Sequence, residues 1–211
     1  MKEKLKTILF TVAVTAVFTI LVSGVNAVLA DRITANKLVA RQFVVLDLFG
    51  LASETVILTD AQIPGFFSEK IVVDPAFKDS GIESYRLKNS TGGLIVCSFS
   101  GQGFWDNING FIALDLADRK IKGIEFTMHG ETPGLGGRIS EPEFKARFID
   151  KPFEPVRSDG LRLKLVSEGT AKKTDEVDGI TGATGTSSAI EKIVNYSINR
   201  ILNISEGRAA Q

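Results

Sequence analysis

The chain is poor in the residues that build metal centres and disulfides. Its 211 residues include one cysteine, one histidine and one tryptophan. A single cysteine excludes an internal disulfide, and Cys97 and His129 alone cannot supply the ligands of a zinc or iron–sulfur site. Cys97 lies in an apolar run, where we expect a buried strand residue. For His129 we expect a hydrogen bond that orients a loop.

An excess of either charge is also missing. The 25 basic residues balance 25 acidic ones, and no basic run stands out, so nothing indicates a nucleic-acid partner. No GxGxxG segment follows a predicted strand, which excludes the usual dinucleotide-binding turn. Hydrophobic residues make up 44% of the chain, enough for one good core.

The N-terminus carries a long apolar run. Residues 7–30 hold no charge, and such a run is long enough to cross a bilayer. Lys2, Lys4 and Lys6 precede it, so we expect a cytoplasmic N-terminus and an extracytoplasmic remainder. A cleaved signal peptide is the alternative, with a cleavage site at Val25-Asn26-Ala27. Because the run exceeds a usual signal-peptide core, we predict a retained single-pass anchor in the cytoplasmic (inner) membrane.

A helical connector is predicted after the anchor. Residues 35–49 carry Leu38, Phe43 and Leu46 at helical spacing, which is typical of an amphipathic helix. We expect Pro64-Gly65 to interrupt the following segment and Asp74-Pro75 to form a turn.

Strands are predicted from residue 84 onward. Residues 84–88 and 94–100 flank the turn Asn89-Ser90-Thr91-Gly92-Gly93 and form a predicted hairpin. A second predicted hairpin has alternating apolar residues before and after the turn Ala117-Asp118-Arg119. It ends at Met128, directly before a glycine-rich loop.

The C-terminal half mixes helices with a strand. Capping boxes predict helices that start at Ser140 and near Ser188, the first ending about Ile149. Alternating leucines predict a strand over 161–165. The pattern predicts an α+β fold: an N-terminal transmembrane helix, then one domain with a mainly antiparallel sheet and flanking helices. We divide the chain into residues 1–30 (N-terminus and membrane helix), 31–80 (connector) and 81–211 (domain).

A glycine-containing loop with threonine hydroxyls precedes the last predicted helix. Its sequence is Asp178-Gly179-Ile180-Thr181-Gly182-Ala183-Thr184. Free N–H groups and the positive end of the helix dipole make such a start an anion site. The alternative is a flexible helix entry with no ligand.

Two other glycine-containing segments are candidates for ligand contact. His129-Gly130-Glu131-Thr132-Pro133-Gly134-Leu135-Gly136-Gly137 combines proline with several glycines, so its backbone can lie against a flat ring. An ordinary Pro-Gly turn is the alternative. Gly101-Gln102-Gly103-Phe104-Trp105 holds the only tryptophan, which either contacts a ligand or packs in the core.

These segments resemble motifs of the FMN-binding domain family, whose members serve in the Rnf electron-transport complex and in the sodium-translocating NADH:quinone reductase. The resemblance implies FMN bound through a phosphoester to Thr184, installed by a flavin transferase from FAD. Asp178 would position the loop or a metal during transfer, or is simply an exposed turn residue. The remaining residues that the resemblance places in the cofactor site are Thr181, Gly182, Ala183, Glu131, Thr132, Leu135, Gly136 and Trp105.

By resemblance, then, we predict a membrane-anchored electron-transfer subunit of a redox-driven, ion-translocating oxidoreductase of the Rnf type. It would carry electrons between neighbouring subunits, with no catalytic residue and no metal ligand of its own. The alternatives are a component similar to the C subunit of the quinone reductase and a freestanding extracytoplasmic flavin reductase. A module without redox function, which binds only an anion or a protein, also stays open.

Overall fold

The computed structural model describes residues 2–90 and 92–207. Its first element is one continuous helix, α1, over Lys2–Leu48. The most apolar 18-residue window of α1 has a mean hydropathy of 2.4 and is not buried, so the helix can cross a membrane by length and composition. The chain divides into two compact units, Met1–Ala40 and Arg41–Gln211. The predicted anchor and the predicted amphipathic helix therefore form one helix, not two.

The predicted connector differs from the structure in detail. Leu46 is buried but Leu38 and Phe43 are exposed, so the expected apolar stripe covers only the end of α1. The short helix α2 spans Ala52–Thr55 and α3 spans Ile63–Lys70. Pro64 does not interrupt α3, because it occupies the first turn, where an N–H has no helical partner to lose.

Five antiparallel strands form the main sheet, in the order β1-β2-β3-β4-β5. The strands are β1 (Ile71–Val73), β2 (Ser84–Leu87), β3 (Leu94–Gln102), β4 (Asn107–Asp115) and β5 (Lys120–Met128). Both predicted hairpins are confirmed by the pairing of β2 with β3 and of β4 with β5. In the first turn, Thr91 lies outside the described residues.

The predicted helix at Ser140 is shorter than expected. A 3-10 turn covers Gly136–Ser140 and α4 spans only Pro142–Ala146, without a side-chain cap. The Ser140 hydroxyl instead pairs with the His129 ring, 2.8 Å away. The helix does not extend to Ile149 as predicted. Directly after Ile149, the N–H of Asp150 donates to the carbonyl of Ile121 on β5 at 2.7 Å.

The predicted strand at 161–165 lies outside the main sheet. Strand β6 spans Lys164–Val166 and pairs in parallel with β7, Glu176–Asp178. The final helix, α5, spans Thr184–Ser205 and begins four residues before the predicted start at Ser188. The Glu191 carboxylate does not cap α5, because it accepts a hydrogen bond from the N–H of Leu165 at 2.7 Å.

Helix α5 covers one face of the sheet and completes the core. Its buried residues include Ile190, Ile193, Val194, Ile198, Ile201 and Leu202, which join the apolar residues of β3, β4 and β5 in one cluster. Cys97 is fully buried there, as expected, and burial raises the pKa of its thiol to about 12. The α+β fold with a mainly antiparallel sheet is confirmed. It brings the loops after β3 and β5 to the N-terminus of α5.

Candidate functional site

Three loops surround a cavity of about 230 Å³ at the N-terminus of α5. The loop after β3 supplies two aromatic side chains, and the loop after β5 and the start of α5 supply the remaining wall. Among the lining residues are seven that the sequence predicted: Trp105, Thr132, Leu135, Gly136, Gly182, Ala183 and Thr184. Residues about 80 positions apart in sequence thus meet at one place.

Glu131 connects these loops by hydrogen bonds but does not line the cavity. The residue is 4% exposed. Its Oε1 accepts hydrogen bonds from the N–H groups of Phe104 (2.8 Å) and Trp105 (3.1 Å). Its Oε2 accepts one from the Thr186 hydroxyl at 2.6 Å. A buried carboxylate with three donors is satisfied, so Glu131 fixes the loops relative to one another.

Two glycines allow this close approach. A Cβ at Gly136 would lie 2.4 Å from the Thr186 hydroxyl oxygen and 2.8 Å from Glu131 Oε2. A Cβ at Gly185 would lie 2.3 Å from the Phe104 ring. Neither position has room for a side chain. The sequence did not predict roles for Phe104 or Thr186, because their contacts are made only in the folded chain.

The aromatic side chains of this site face outward. Phe104 and Trp105 are 60% and 66% exposed, and their rings meet edge to face with centroids 5.3 Å apart. Leu135 is also exposed. The alternative of a core position for Trp105 is therefore wrong. Phe104, Trp105 and Leu135 thus expose apolar surface together at one cavity.

Thr184 is the first residue of α5 and is exposed. In the described part of the chain its hydroxyl has no hydrogen-bond partner. Gly182 precedes it with φ +79°, a conformation that favours glycine. Thr184 and Gly182 also line a second, more polar cavity of about 430 Å³. The hydroxyl is therefore accessible, beside backbone N–H groups that a helix leaves unpaired at its start.

Asp178 and Thr181 lie outside the first cavity. Asp178 Oδ1 accepts hydrogen bonds from the N–H groups of Thr170 and Ala171, both at 2.9 Å, so this carboxylate orders its own loop. The N–H of Thr181 donates to Glu168 Oε2 at 3.0 Å. Glu168 and its partner Arg147 were not predicted from the sequence, in which Glu168 lies 13 positions before Thr181 and Arg147 lies 31 positions before Asp178.

His129 orients the loop that carries Glu131. Its Nδ1 accepts from the N–H of Glu131 at 3.3 Å, and its Nε2 lies 2.8 Å from the Ser140 hydroxyl. The tautomer protonated on Nε2 satisfies both contacts. This confirms the expected loop-orienting hydrogen bond. Over residues 2–90 and 92–207, no group of three or more His, Cys, Asp or Glu side chains could hold a metal ion.

Residues 103–199 match the model of the FMN-binding domain. This segment of the chain is therefore similar to that family. The matched segment includes all three loops of the cavity together with Glu131 and Thr184. The resemblance between the sequence motifs and this family is therefore confirmed.

Relatives and solved structures agree on the fold. The C subunit of the Na⁺-translocating NADH-quinone reductase of Pseudomonas aeruginosa is 26% identical, and the match covers 97% of each chain. The corresponding C subunit of Yersinia pestis is 30% identical over 118 residues, which span 44% of that protein. A crystal structure of the C subunit from Parabacteroides distasonis superimposes with a TM-score of 0.58 at 22% identity, covering 82% of this chain and 92% of that chain.

The residues around the cavity fit a flavin. Leu135 and the two aromatic rings offer apolar surface to a flat ring system, and the start of α5 offers N–H groups to a phosphate. The volume of about 230 Å³ lies below the roughly 300–1,000 Å³ of typical ligand sites. A bound flavin would therefore be less enclosed than the ligand of such a site.

The buried Glu131 carboxylate generates a prediction on stability. Replacement by alanine leaves two N–H groups and one hydroxyl without their acceptor, so Glu131→Ala should lower the free energy of unfolding by about 3 kcal/mol. Glu131→Gln keeps an oxygen for the two N–H groups and should lose about half as much. Urea unfolding of the full chain in detergent, followed by circular dichroism, measures both.

The matched control is Glu143→Ala, because Glu143 is an exposed carboxylate in α4. It should change the free energy of unfolding by about 0.5 kcal/mol or less. Equal effects of Glu131→Ala and Glu143→Ala would contradict the role of Glu131 in joining the loops.

Proposed function

We propose that this domain carries FMN bound covalently through its phosphate to Thr184. The observation that carries the proposal is the exposed Thr184 hydroxyl at the N-terminus of α5, on the rim of a cavity with aromatic walls. Helix N–H groups stabilise phosphate at this position. Trp105 and Leu135 would pack against the ring, and the Thr132 hydroxyl lies within the same cavity wall.

The chain is the acceptor of the flavin and does not attach it unaided. A threonine hydroxyl is a weak nucleophile that needs a base or a metal to activate it. The residues that line the aromatic cavity include no charged side chain. In the second cavity that Thr184 lines, the carboxylates of Glu168 and Glu191 already accept hydrogen bonds from backbone N–H groups. A separate flavin transferase, with FAD as donor, would supply the activation. The Thr184 oxygen would bond to the FMN phosphorus as the pyrophosphate bond of FAD breaks, AMP would leave, and a base of the transferase would take the hydroxyl proton. Exposure of Thr184 leaves room for that enzyme to reach the hydroxyl.

FMN supplies one- and two-electron redox chemistry when it is bound, and the protein sets its position. Glu131 keeps the two loops and α5 in fixed relation, so the ring would have one orientation. The exposed sides of Phe104 and Trp105 leave the site open to a docking partner. These features favour an electron carrier over an enzyme with an enclosed substrate site.

The relatives suggest the type of complex. C subunits of Na⁺-translocating NADH-quinone reductases match this chain, one of them over 97% of both lengths. We therefore propose a subunit of that type of ion-translocating complex. The Rnf type expected from the sequence shares the family but has no support from the relatives named above. The chain would pass electrons between neighbouring subunits.

Helix α1 would anchor the domain, with the N-terminus in the cytoplasm and the domain outside. Lysines precede the apolar run, which supports this orientation. Asn26 lies within the apolar run, in the middle of α1, and is exposed. Polar side chains in membrane helices commonly hydrogen-bond to neighbouring helices. Asn26 thus supports a membrane partner.

Covalent attachment is tested by replacing the acceptor. When the chain is coexpressed with a flavin transferase, the denatured polypeptide should fluoresce as a flavin on a gel, and Thr184→Val should abolish the signal. Thr174→Val is the matched control, because Thr174 is exposed just upstream of the motif. It should retain full fluorescence. A wild-type chain without covalent flavin, or a fluorescent Thr184→Val chain, would refute the attachment.

Membership of a complex is tested on native membranes. The tagged chain, extracted in mild detergent, should co-purify with other membrane subunits and NADH:quinone reductase activity. Asn26→Leu should reduce this recovery severalfold, whereas Val25→Leu, one position away, should not. If the chain is recovered alone and reduces a soluble acceptor, it is a freestanding flavoenzyme instead.

Orientation is tested with fusions to the C-terminus. Alkaline phosphatase, which folds outside the cytoplasm, should be active, and green fluorescent protein exported through the same route should be dark. The intact mass should include residues 7–30, because we propose a retained anchor. A mature chain that starts after Ala27 would show a cleaved signal peptide.

A further inference from the structure

We propose that Arg147 and Glu168 are positioning residues for flavin attachment. Together they hold the backbone of residues 178–181, so that Thr184 is presented to the flavin transferase in one conformation. We call this pair the loop clamp. The inference rests on the proposed attachment at Thr184.

Arg147 contacts the start of the attachment loop. It follows α4, where its guanidinium lies 5.6 Å from the centroid of the Phe144 ring. Its Nη1 donates to the carbonyls of Asp178 (3.1 Å) and Gly179 (2.6 Å), and its Nη2 donates to Glu168 Oε1 (2.7 Å). The planar guanidinium has a fixed fork geometry, so it can fix two consecutive carbonyls and a carboxylate at once.

Glu168 extends the clamp to Thr181. It lies in the turn after β6, and its Oε2 accepts from the N–H of Thr181 at 3.0 Å. This N–H and the Arg147 guanidinium lower the pKa of the Glu168 carboxyl to about 2. The lowered pKa means that the stabilising contacts are fully present above about pH 4 and are lost only as the pH falls through about 2. The clamp is therefore charged at every physiological pH.

The position of the clamp relative to Thr184 gives it a role. Glu131 holds the chain just after Thr184, through the Thr186 hydroxyl. The loop clamp holds the chain before it, up to Thr181. Gly179 and Gly182 give this segment backbone freedom. The clamp restricts it together with the hydrogen bonds from the Gly179 N–H to the Val166 carbonyl (2.7 Å) and from the Ile180 N–H to the Ser187 hydroxyl (3.0 Å). A protein that is competent for binding only part of the time shows an affinity reduced by that fraction.

A structural ion pair of similar burial provides the control. Arg157 pairs with Asp175 shortly before β7, with side chains 14% and 24% exposed. The corresponding values for Arg147 and Glu168 are 21% and 25%. The Arg157 guanidinium makes no hydrogen bond to residues 178–184 in the described part of the chain. Arg157→Met therefore removes a comparable ion pair and leaves the attachment loop untouched.

Flavin attachment in vitro separates positioning from stability. Full-length flavin-free chains in detergent are incubated with purified flavin transferase and FAD, and initial rates are measured against acceptor concentration. Glu168→Gln and Arg147→Met should raise the KM for the acceptor about tenfold and change kcat less than twofold. Arg147→Lys should be intermediate, because an ammonium keeps the charge but not the fork. Arg157→Met should leave both constants within about twofold of wild type.

Hydrogen exchange tests the clamp without any flavin. Exchange at the Thr181 amide should become at least about tenfold faster in Glu168→Gln, while amides in β3 and β4 stay protected. If the KM values of the clamp variants match that of Arg157→Met, or if exchange at Thr181 is unchanged, the positioning role is wrong. If Thr181 exchange responds but the wild-type chain accepts no flavin, the clamp exists and the proposed function fails.

Discussion

The buried carboxylate of Glu131 is the contact on which the site depends. A charged group that is almost fully removed from water must find hydrogen bonds, and its donors come from the loop after β3 and from α5. Those donors can be supplied only when all three segments have their native positions. The hydrogen bonds to the Glu131 carboxylate thus fix the shape of the cavity, although Glu131 itself does not line it. Because these segments approach one another closely, Gly136 and Gly185 have no room for a side chain.

The Glu168 carboxylate holds the chain before Thr184, as the Glu131 carboxylate holds the chain after it. Glu168 contacts the chain before this residue and Glu131 contacts the chain after it, while the Thr184 hydroxyl stays unpaired in the described part of the chain. Held flanks around an accessible hydroxyl suit the attachment that we propose at Thr184. Both carboxylates receive backbone N–H donors, so the loops are held by their main chain and the side chains that face the cavity remain available.

Sequence patterns predicted those parts of the fold that local contacts determine. Alternating apolar residues around Gly92 and Asp118 sufficed for both hairpins, because neighbouring strands pair across short turns. The start of α5 was misplaced, since Glu191 contacts Leu165 instead of capping the helix. Arg147 and Glu168 could not be predicted, because 21 residues separate them from each other and their contacts exist only after folding. The position of Trp105 stayed open until its exposure was known.

The size of the cavity gives a physical reason for a covalent bond. Non-covalent ligands are held by sites that bury most of their surface, and a cavity of about 230 Å³ is smaller than the roughly 300–1,000 Å³ of such sites. A deeper pocket would bind the ring more tightly but would also separate it from a partner. With the phosphate bonded to Thr184, as we propose, retention no longer depends on the area of contact. The exposed faces of Phe104 and Trp105 can then serve the approach of a redox partner instead of enclosing the cofactor.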